Sequence, residues 1–82
     1  MKVVYETDYI AVGITGRGYD FFAFIENKTD ENIRIICELE DGECAYINIE
    51  AHDWVGLLCN DEDRLIYKNL INNKYVVKNA QD

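Results

Sequence analysis

Proline is missing from this 82-residue chain, and lysine and arginine are missing from more than a third of it. The absence of proline argues against a polyproline segment or a stiff linker. No apolar run of the length that a secretory signal peptide needs follows the first residues. The longest apolar run, Phe21–Ile25, is too short for a membrane-spanning helix. We therefore expect a cytoplasmic protein, located in the host cytoplasm if a phage encodes it.

Cysteine is scarce, and its spacing argues against a structural zinc site. Cys37, Cys44 and Cys59 are odd in number and contain no C-x-x-C pair. Counting His52 as a fourth ligand leaves gaps of six, seven and six residues, whereas zinc sites use much shorter clips. We expect no metal, no cofactor, and reduced thiols.

Catalytic motifs are also lacking. His52-Asp53 and Cys59 supply the residue types of a base, an orienting acid and a nucleophile, but no motif brings them within hydrogen-bond reach. Gly16-Arg17-Gly18 lacks the third glycine, the lysine and the following helix of a phosphate-binding loop, and predicts a turn instead. We expect a protein that is not an enzyme and has no catalytic residues.

Acidic residues dominate the middle of the chain. The segment Ile35–Asp63 holds nine acids and no base, whereas Arg64–Lys78 holds four bases and no acid. The net charge is −8. This segregation predicts a negative lobe that repels nucleic acid and anionic membranes and attracts basic protein surfaces. The nine acids are Glu38, Glu40, Asp41, Glu43, Glu50, Asp53, Asp61, Glu62 and Asp63.

Length and composition indicate one folded domain. Apolar residues make up 49 % of the chain, so it is not a disordered acidic tail. Its size allows one modest core. We expect an α+β fold: a small antiparallel β-hairpin-dominated domain with one short helix near residues 61–72. The domain should cover residues 1–78, with a loose tail over residues 79–82.

Alternation of apolar and polar residues predicts the strands. Val3-Val4-Tyr5 favours a short strand, and Ile10, Val12 and Ile14 share one face of the next strand. Phe21–Ile25 is apolar on both faces, which favours a strand that is central or covered. We expect a polar turn over residues 27–32 and an irregular segment over residues 52–55. Further strands are predicted over residues 56–59 and 75–78.

One hairpin can be predicted in register. A three-residue loop, Glu40-Asp41-Gly42, with Gly42 left-handed, pairs Leu39 with Glu43. This register places the alternating apolar residues of both strands on one face. A two-residue turn would place Asn48 and Glu50 among the isoleucines. The predicted pairs are Cys37 with Ala45, Ile35 with Ile47 and Ile33 with Ile49, and Cys37 and Cys44 point to opposite faces.

A helix is predicted over residues 61–72. Asn60 is a suitable N-cap, and the three acids that follow complement the helix dipole. Apolar residues recur near helical spacing as far as Ile71, and Asn72-Asn73-Lys74 suits a C-terminal cap. The alternative is a strand at Arg64–Lys68, because Leu-Ile-Tyr also suits a strand.

A local resemblance supports the β architecture. Residues 24–33, Phe-Ile-Glu-Asn-Lys-Thr-Asp-Glu-Asn-Ile, resemble a strand–turn–strand segment of small immunoglobulin-like β-sandwich modules in Gram-positive surface lipoproteins. The resemblance covers about one-eighth of the chain. It implies a polar turn between two core strands and implies no function.

The acidic residues suggest how a partner is recognised. In the predicted hairpin, Glu38, Glu40 and Glu50 share the solvent face with Tyr46 and Asn48, at cross-strand spacings of about 5 Å and next-but-one spacings of about 7 Å. This spacing is similar to that of nucleic-acid phosphates, so a carboxylate ladder could act as a DNA mimic. The predicted partner-binding residues are Glu38, Glu40, Asp41, Glu43, Tyr46, Glu50, Asp53, Trp54, Asp61, Glu62 and Asp63.

These residues predict a small acidic inhibitor that occupies a basic, nucleic-acid-binding surface of a partner protein. Phage anti-defence proteins of the anti-CRISPR or anti-restriction type act in this manner. The partner would be a basic protein, with no direct contact to nucleic acid or membrane. The alternatives are a structural β-module that dimerises or docks through the aromatic strand Phe21–Ile25, a small immunity or antitoxin protein, and a small-ligand binder.

Overall fold

Two antiparallel sheets and one helix enclose a shared core in the computed structural model, which describes residues 1–17, 20–58 and 60–80. The first sheet has the order β1-β2-β3-β6 and the second the order β5-β4-β7. The architecture confirms the predicted α+β, hairpin-dominated fold. The elements are β1 (Lys2–Glu6), β2 (Ile10–Arg17), β3 (Asp20–Asn27), β4 (Ile33–Glu38), a 3₁₀ turn (Glu40–Gly42), β5 (Cys44–Ile49), β6 (Trp54–Leu57), α1 (Asp61–Ile71) and β7 (Val76–Asn79).

The first sheet buries one face of β2 as its apolar alternation predicts. Ile10 and Val12 are completely buried and Ile14 is partly buried. Strand β3 lies between β2 and β6, so the aromatic segment Phe21–Ile25 belongs to a central strand. Strands β2 and β6 pair with both edges of β3 over residues 23–26, so this part of the strand has only its two faces left for other contacts.

The second sheet contains the hairpin in its predicted register. Cys37 pairs with Ala45, Ile35 with Ile47 and Ile33 with Ile49. The Leu39 amide donates to the Glu43 carbonyl, as a three-residue loop requires. Gly42 has a φ of 78°, as predicted.

Asp41 at the same turn also has a positive φ, 65°, which was not predicted. Aspartate tolerates this conformation better than most residues because its short side chain can hydrogen-bond locally.

The helix begins and ends close to the predicted boundaries. The Asn60 side chain caps it by accepting a hydrogen bond from the Asp63 amide at 2.8 Å. At the other end the Asn72 amide donates to the Lys68 carbonyl, and Asn73 has a positive φ of 60°. Residues 64–68 are helical, so the alternative strand is wrong. Ile66 and Leu70 are buried because the helix packs this stripe against the core.

Several predicted boundaries differ from the structure. Strand β2 continues through Gly16 and Arg17, where a turn was expected, and Gly18 lies outside the described residues. Strand β6 begins at Trp54, within the segment expected to be irregular, because Trp54 pairs with Glu26 of β3. Strand β7 starts and ends one residue later than expected. Cys59, Gln81 and Asp82 also lie outside the described residues.

The core joins both sheets to the helix. It combines Ile10, Val12, Ala23 and Ile25 of the first sheet, Ile33, Ile35, Cys37 and Ile49 of the second, and Leu57, Ile66 and Leu70. Of the helices in the described part of the chain, none is long and apolar enough to span a membrane.

Asn27 is a buried polar residue that sequence reasoning placed in a turn. It ends β3 and is completely buried. Its Nδ2 donates to the carbonyls of Glu31 at 2.7 Å and of Ile49 and Glu50 at 3.0 Å each. Its Oδ1 accepts from the Thr29 amide at 2.9 Å and the Thr29 hydroxyl at 2.7 Å. One side chain therefore ties the β3–β4 loop to the end of β5.

Candidate protein-interaction surfaces

The end of the β4–β5 hairpin concentrates negative charge. We define the hairpin tip as residues 38–43; its four carboxylate residues, Glu38, Glu40, Asp41 and Glu43, are all exposed. The tip is anchored at its base, where Asn69 Nδ2 of α1 donates to the Glu38 carbonyl at 2.9 Å. The ion pairs found between described residues, Lys28–Glu6 and His52–Asp30, lie elsewhere.

The outer face of the second sheet is not a continuous row of carboxylates. Arg34 lies between Asn48 and Lys78 in register, and its Nε donates to Asn48 Oδ1 at 2.9 Å. One step closer to the tip, Ile36 lies between Tyr46 and Val76. A basic row and an apolar row therefore separate the hairpin tip from the far end of β5.

Glu50 and Asp53 lie at that far end, away from the hairpin tip. Glu50 follows Glu43 by seven strand positions, which corresponds to about 23 Å. The Glu50 carbonyl accepts from Asn27 Nδ2, and the Asp53 carbonyl accepts from the Asn27 amide at 2.9 Å. Because 23 Å greatly exceeds the Debye length of about 8 Å in physiological salt, the two acidic ends act as separate sites.

The helix N-terminus forms a third acidic group. Asp61 and Glu62 are exposed, whereas Asp63 is half-buried and its Oδ2 accepts from the Leu58 amide at 2.6 Å. Asn69, which contacts the hairpin tip, lies eight residues further along the helix, or about 12 Å. The acids of the helix and of the hairpin therefore do not form one surface, and Asp63 has a structural role at the helix start.

The hairpin tip borders a groove with an apolar base. The groove has a volume of about 550 Å³ and is lined by Ile36, Glu38, Leu39, Cys44, Asn69, Lys74, Tyr75 and Val76. Tyr46 and Val76, in register with Ile36 across the same face, are 61 % and 52 % exposed. We call this surface the tip groove. It places exposed apolar area beside the four carboxylates.

A second groove lies on the outer face of the first sheet. It has a volume of about 390 Å³ and is lined by Met1, Val3, Ala11, Gly13, Thr15, Phe24, Glu26 and Trp54. Phe24 and Trp54 pack edge to face with ring centroids 5.1 Å apart, and Trp54 stays 59 % exposed. A Cβ at Gly13 would come within 2.8 Å of the Met1 side chain. We call this surface the Trp54 groove. The alternation of small residues in β2 was the signal that sequence reasoning overlooked.

The two described thiols lie on opposite faces, as the hairpin register predicts. Cys44 is exposed beside the tip groove, whereas Cys37 is completely buried in the core. Burial, with a smaller contribution from the nearby Cys44, raises the pKa of Cys37 to about 11. The thiol of Cys37 is therefore protonated at neutral pH and acts as a small apolar side chain.

No protein-family model, curated protein or solved structure matches this chain. The resemblance of residues 24–33 to immunoglobulin-like modules therefore stays a prediction.

Proposed function

We propose that this protein is a small, non-enzymatic acidic inhibitor that docks its hairpin tip and tip groove on a basic, nucleic-acid-binding surface of a partner protein. Such a protein would act as an anti-CRISPR or anti-restriction type of phage anti-defence protein. The observation that carries the proposal is the exposure of four carboxylates on a tip that no ion pair between described residues reaches.

The position of the tip beside apolar surface supports binding rather than solubility alone. Protein interfaces combine a buried apolar centre with a polar rim. The tip groove offers the apolar centre through Ile36, Tyr46 and Val76, and the hairpin tip offers a charged rim. The acids at Glu50 and Asp53, at the far end of β5, would offer a basic partner a second, separate point of attraction.

The test compares two variants of equal net charge. The tip variant carries Glu38→Gln, Glu40→Gln, Asp41→Asn and Glu43→Gln. The control variant carries Asp8→Asn, Asp53→Asn, Asp61→Asn and Glu62→Gln, which are exposed acids outside the hairpin tip. Both variants remove four negative charges and keep one acceptor oxygen in each side chain. A difference in binding between them therefore shows that the position of the charges matters, not their number.

Each tagged protein is incubated with bacterial lysate, washed with rising salt, and its captured partners are identified by mass spectrometry. We expect the parent and the control variant to retain a basic nucleic-acid-handling protein that salt releases, and the tip variant to lose it. The purified partner should then lose nucleic acid when the parent protein is added. Equal retention by both variants, or a salt-resistant partner without a basic surface, would contradict the proposal.

A second candidate function, a dimerising β-module, is favoured by the Trp54 groove. Because β3 is paired on both edges at Phe24, this part of the aromatic segment can dock only through a sheet face, and Phe24 lines the groove on that face. Glu26 has the only charged side chain among the described residues that line the groove, so a second copy would meet little repulsion there. Sedimentation at high salt tests this: Trp54→Ala should abolish a dimer, whereas Tyr9→Ala, at a residue of similar exposure outside this groove, should not.

A further inference from the structure

Four strands form the edges of the two sheets, and three of them are protected. An edge strand presents unpaired N–H and C=O groups, which proteins protect with lysine, proline, bulges or short length. Strand β1 carries Lys2 and an irregular register between Val3 and Tyr5. Strands β6 and β7 have four residues each, and β7 carries Lys78.

Strand β5 has none of these protections. It has six residues, Cys-Ala-Tyr-Ile-Asn-Ile, without charge, proline or glycine, and its register with β4 is continuous. Tyr46, Ile47 and Ile49 also favour extended structure. Strand β5 is therefore the longest uncharged edge in the described part of the fold.

The hydrogen-bond pattern shows which groups of β5 face outward. The Leu39 amide donates to the Glu43 carbonyl, so Leu39 and Glu43 form a hydrogen-bonded pair. Hydrogen-bonded pairs alternate along an antiparallel ladder. The backbone groups of Cys44, Tyr46 and Asn48 therefore point away from β4. Within the described parts of the chain, no hydrogen bond reaches these outward groups.

The charges at the two ends of β5 determine which kind of strand can pair with its free edge. Exposed Glu43 and Glu50 flank the uncharged strand at its two ends. Pairing of β5 with a second copy, in either direction, would bring the glutamates that flank the strand in one chain near those that flank it in the other. Like charges at these positions are destabilising, and each copy carries a net charge of −8. A strand with basic residues at its ends would instead be attracted.

We propose that β5 binds an extended segment of the partner protein by strand addition, a segment with an uncharged middle and lysine or arginine at both ends. The inference rests on the proposed function, because it specifies how the basic partner is held. Main-chain hydrogen bonds to β5 supply the pairing, and the flanking glutamates select the basic ends. The basic residues should lie seven positions apart, matching Glu43 and Glu50.

The experiment uses a defined peptide and the full chain. The peptide has six alternating valine and threonine residues between two lysines, with blocked termini, and its control has glutamates at the ends. Two variants are compared. Tyr46→Thr removes the ring, whereas Tyr46→Pro also removes the outward N–H without removing a donor to β4.

We expect the lysine peptide to bind the parent chain and Tyr46→Thr, and to bind Tyr46→Pro about tenfold more weakly. The glutamate peptide should not bind. In hydrogen exchange of the parent chain, the lysine peptide should protect the amides of Cys44, Tyr46 and Asn48. The exchange measurement decides the question even if Tyr46→Pro fails to fold.

The outcomes separate this inference from the proposed function. Equal binding to the folded Tyr46→Pro and Tyr46→Thr variants, or no protection of the three amides, would overturn strand addition. Salt-sensitive capture of a basic partner that is lost in the hairpin-tip charge variant would still support the proposed function. If the tip variant captures that partner as well as the parent does, the proposed function itself fails.

Discussion

Among the polar residues whose burial the structure describes, Asn27 should be the one whose replacement destabilises this protein most. Its side-chain amide makes hydrogen bonds to three backbone carbonyls and accepts two from Thr29, in a position with no solvent exposure. A buried polar group that loses its partner costs about 1–3 kcal/mol, and each other lost hydrogen bond about 0.5–1.5 kcal/mol. The substitution Asn27→Ala leaves the buried Ile49 carbonyl without this donor and removes the remaining bonds.

The sum is large for a chain of this size. We expect Asn27→Ala to lower the free energy of unfolding by at least about 3 kcal/mol, which is the lower end of that sum. A domain of 82 residues has a total of about 4–12 kcal/mol, taking about 0.05–0.15 kcal/mol per residue. The variant should therefore unfold at much lower urea concentrations or be partly unfolded in buffer.

Asn27→Asp tests the same site with nearly the same shape. A carboxylate oxygen would replace Nδ2 and face three carbonyl oxygens, so the pKa of this carboxyl group should be raised above its value in the unfolded chain. Because the pKa of this carboxyl group is higher in the folded than in the unfolded chain, its protonated form contributes to folding stability. This contribution is fully present below about pH 4 and is lost as the pH rises. The stability difference between Asn27→Asp and the parent should therefore be smallest near pH 4 and largest at neutral pH.

Urea unfolding followed by circular dichroism measures both effects. Asn32→Ala is the matched control, because exposed Asn32 also bridges these loops by accepting from the Ala51 amide at 3.0 Å. Its loss should cost about 1 kcal/mol or less. If Asn27→Ala costs no more than Asn32→Ala, or if the deficit of Asn27→Asp does not grow with pH, the buried network does not stabilise the fold as argued.

Two further predictions concern the thiols and the helix cap. In a Cys59→Ser variant at pH 8, a thiol reagent should modify Cys44 rapidly and Cys37 only upon unfolding. The reactive species is the thiolate, and burial raises the pKa of Cys37 to about 11. Similar modification rates at the two cysteines, measured by mass spectrometry, would refute this prediction. Asn60→Ala should lower the free energy of unfolding by about 1 kcal/mol in urea titrations, since the Asp63 amide loses its cap, whereas Asn60→Ser should retain most of it. A stability unchanged by Asn60→Ala would show that the cap does not contribute.

Features encoded by neighbouring residues could be predicted from the sequence alone. The β4–β5 register follows from the position of Gly42 and the alternation of isoleucines on either side of it. The start of α1 follows from Asn60 and the acids after it. In both cases the interacting residues lie within a few positions of one another or across one tight turn, so local geometry admits few alternatives.

The binding surfaces, in contrast, depend on contacts between distant parts of the chain. The neighbouring sequence does not show that Trp54 pairs with Glu26 across two strands. It also does not show that the buried Asn27 side chain donates to the carbonyls of Ile49 and Glu50. The order of strands in the second sheet places Arg34 beside Lys78 and leaves β5 at an edge. The sequence by itself determined the charge, the hairpin and the helix, because these depend on composition and nearest neighbours. Only the tertiary structure decided which carboxylates lie together and which strand edge stays unpaired, because those depend on packing between segments far apart in the chain.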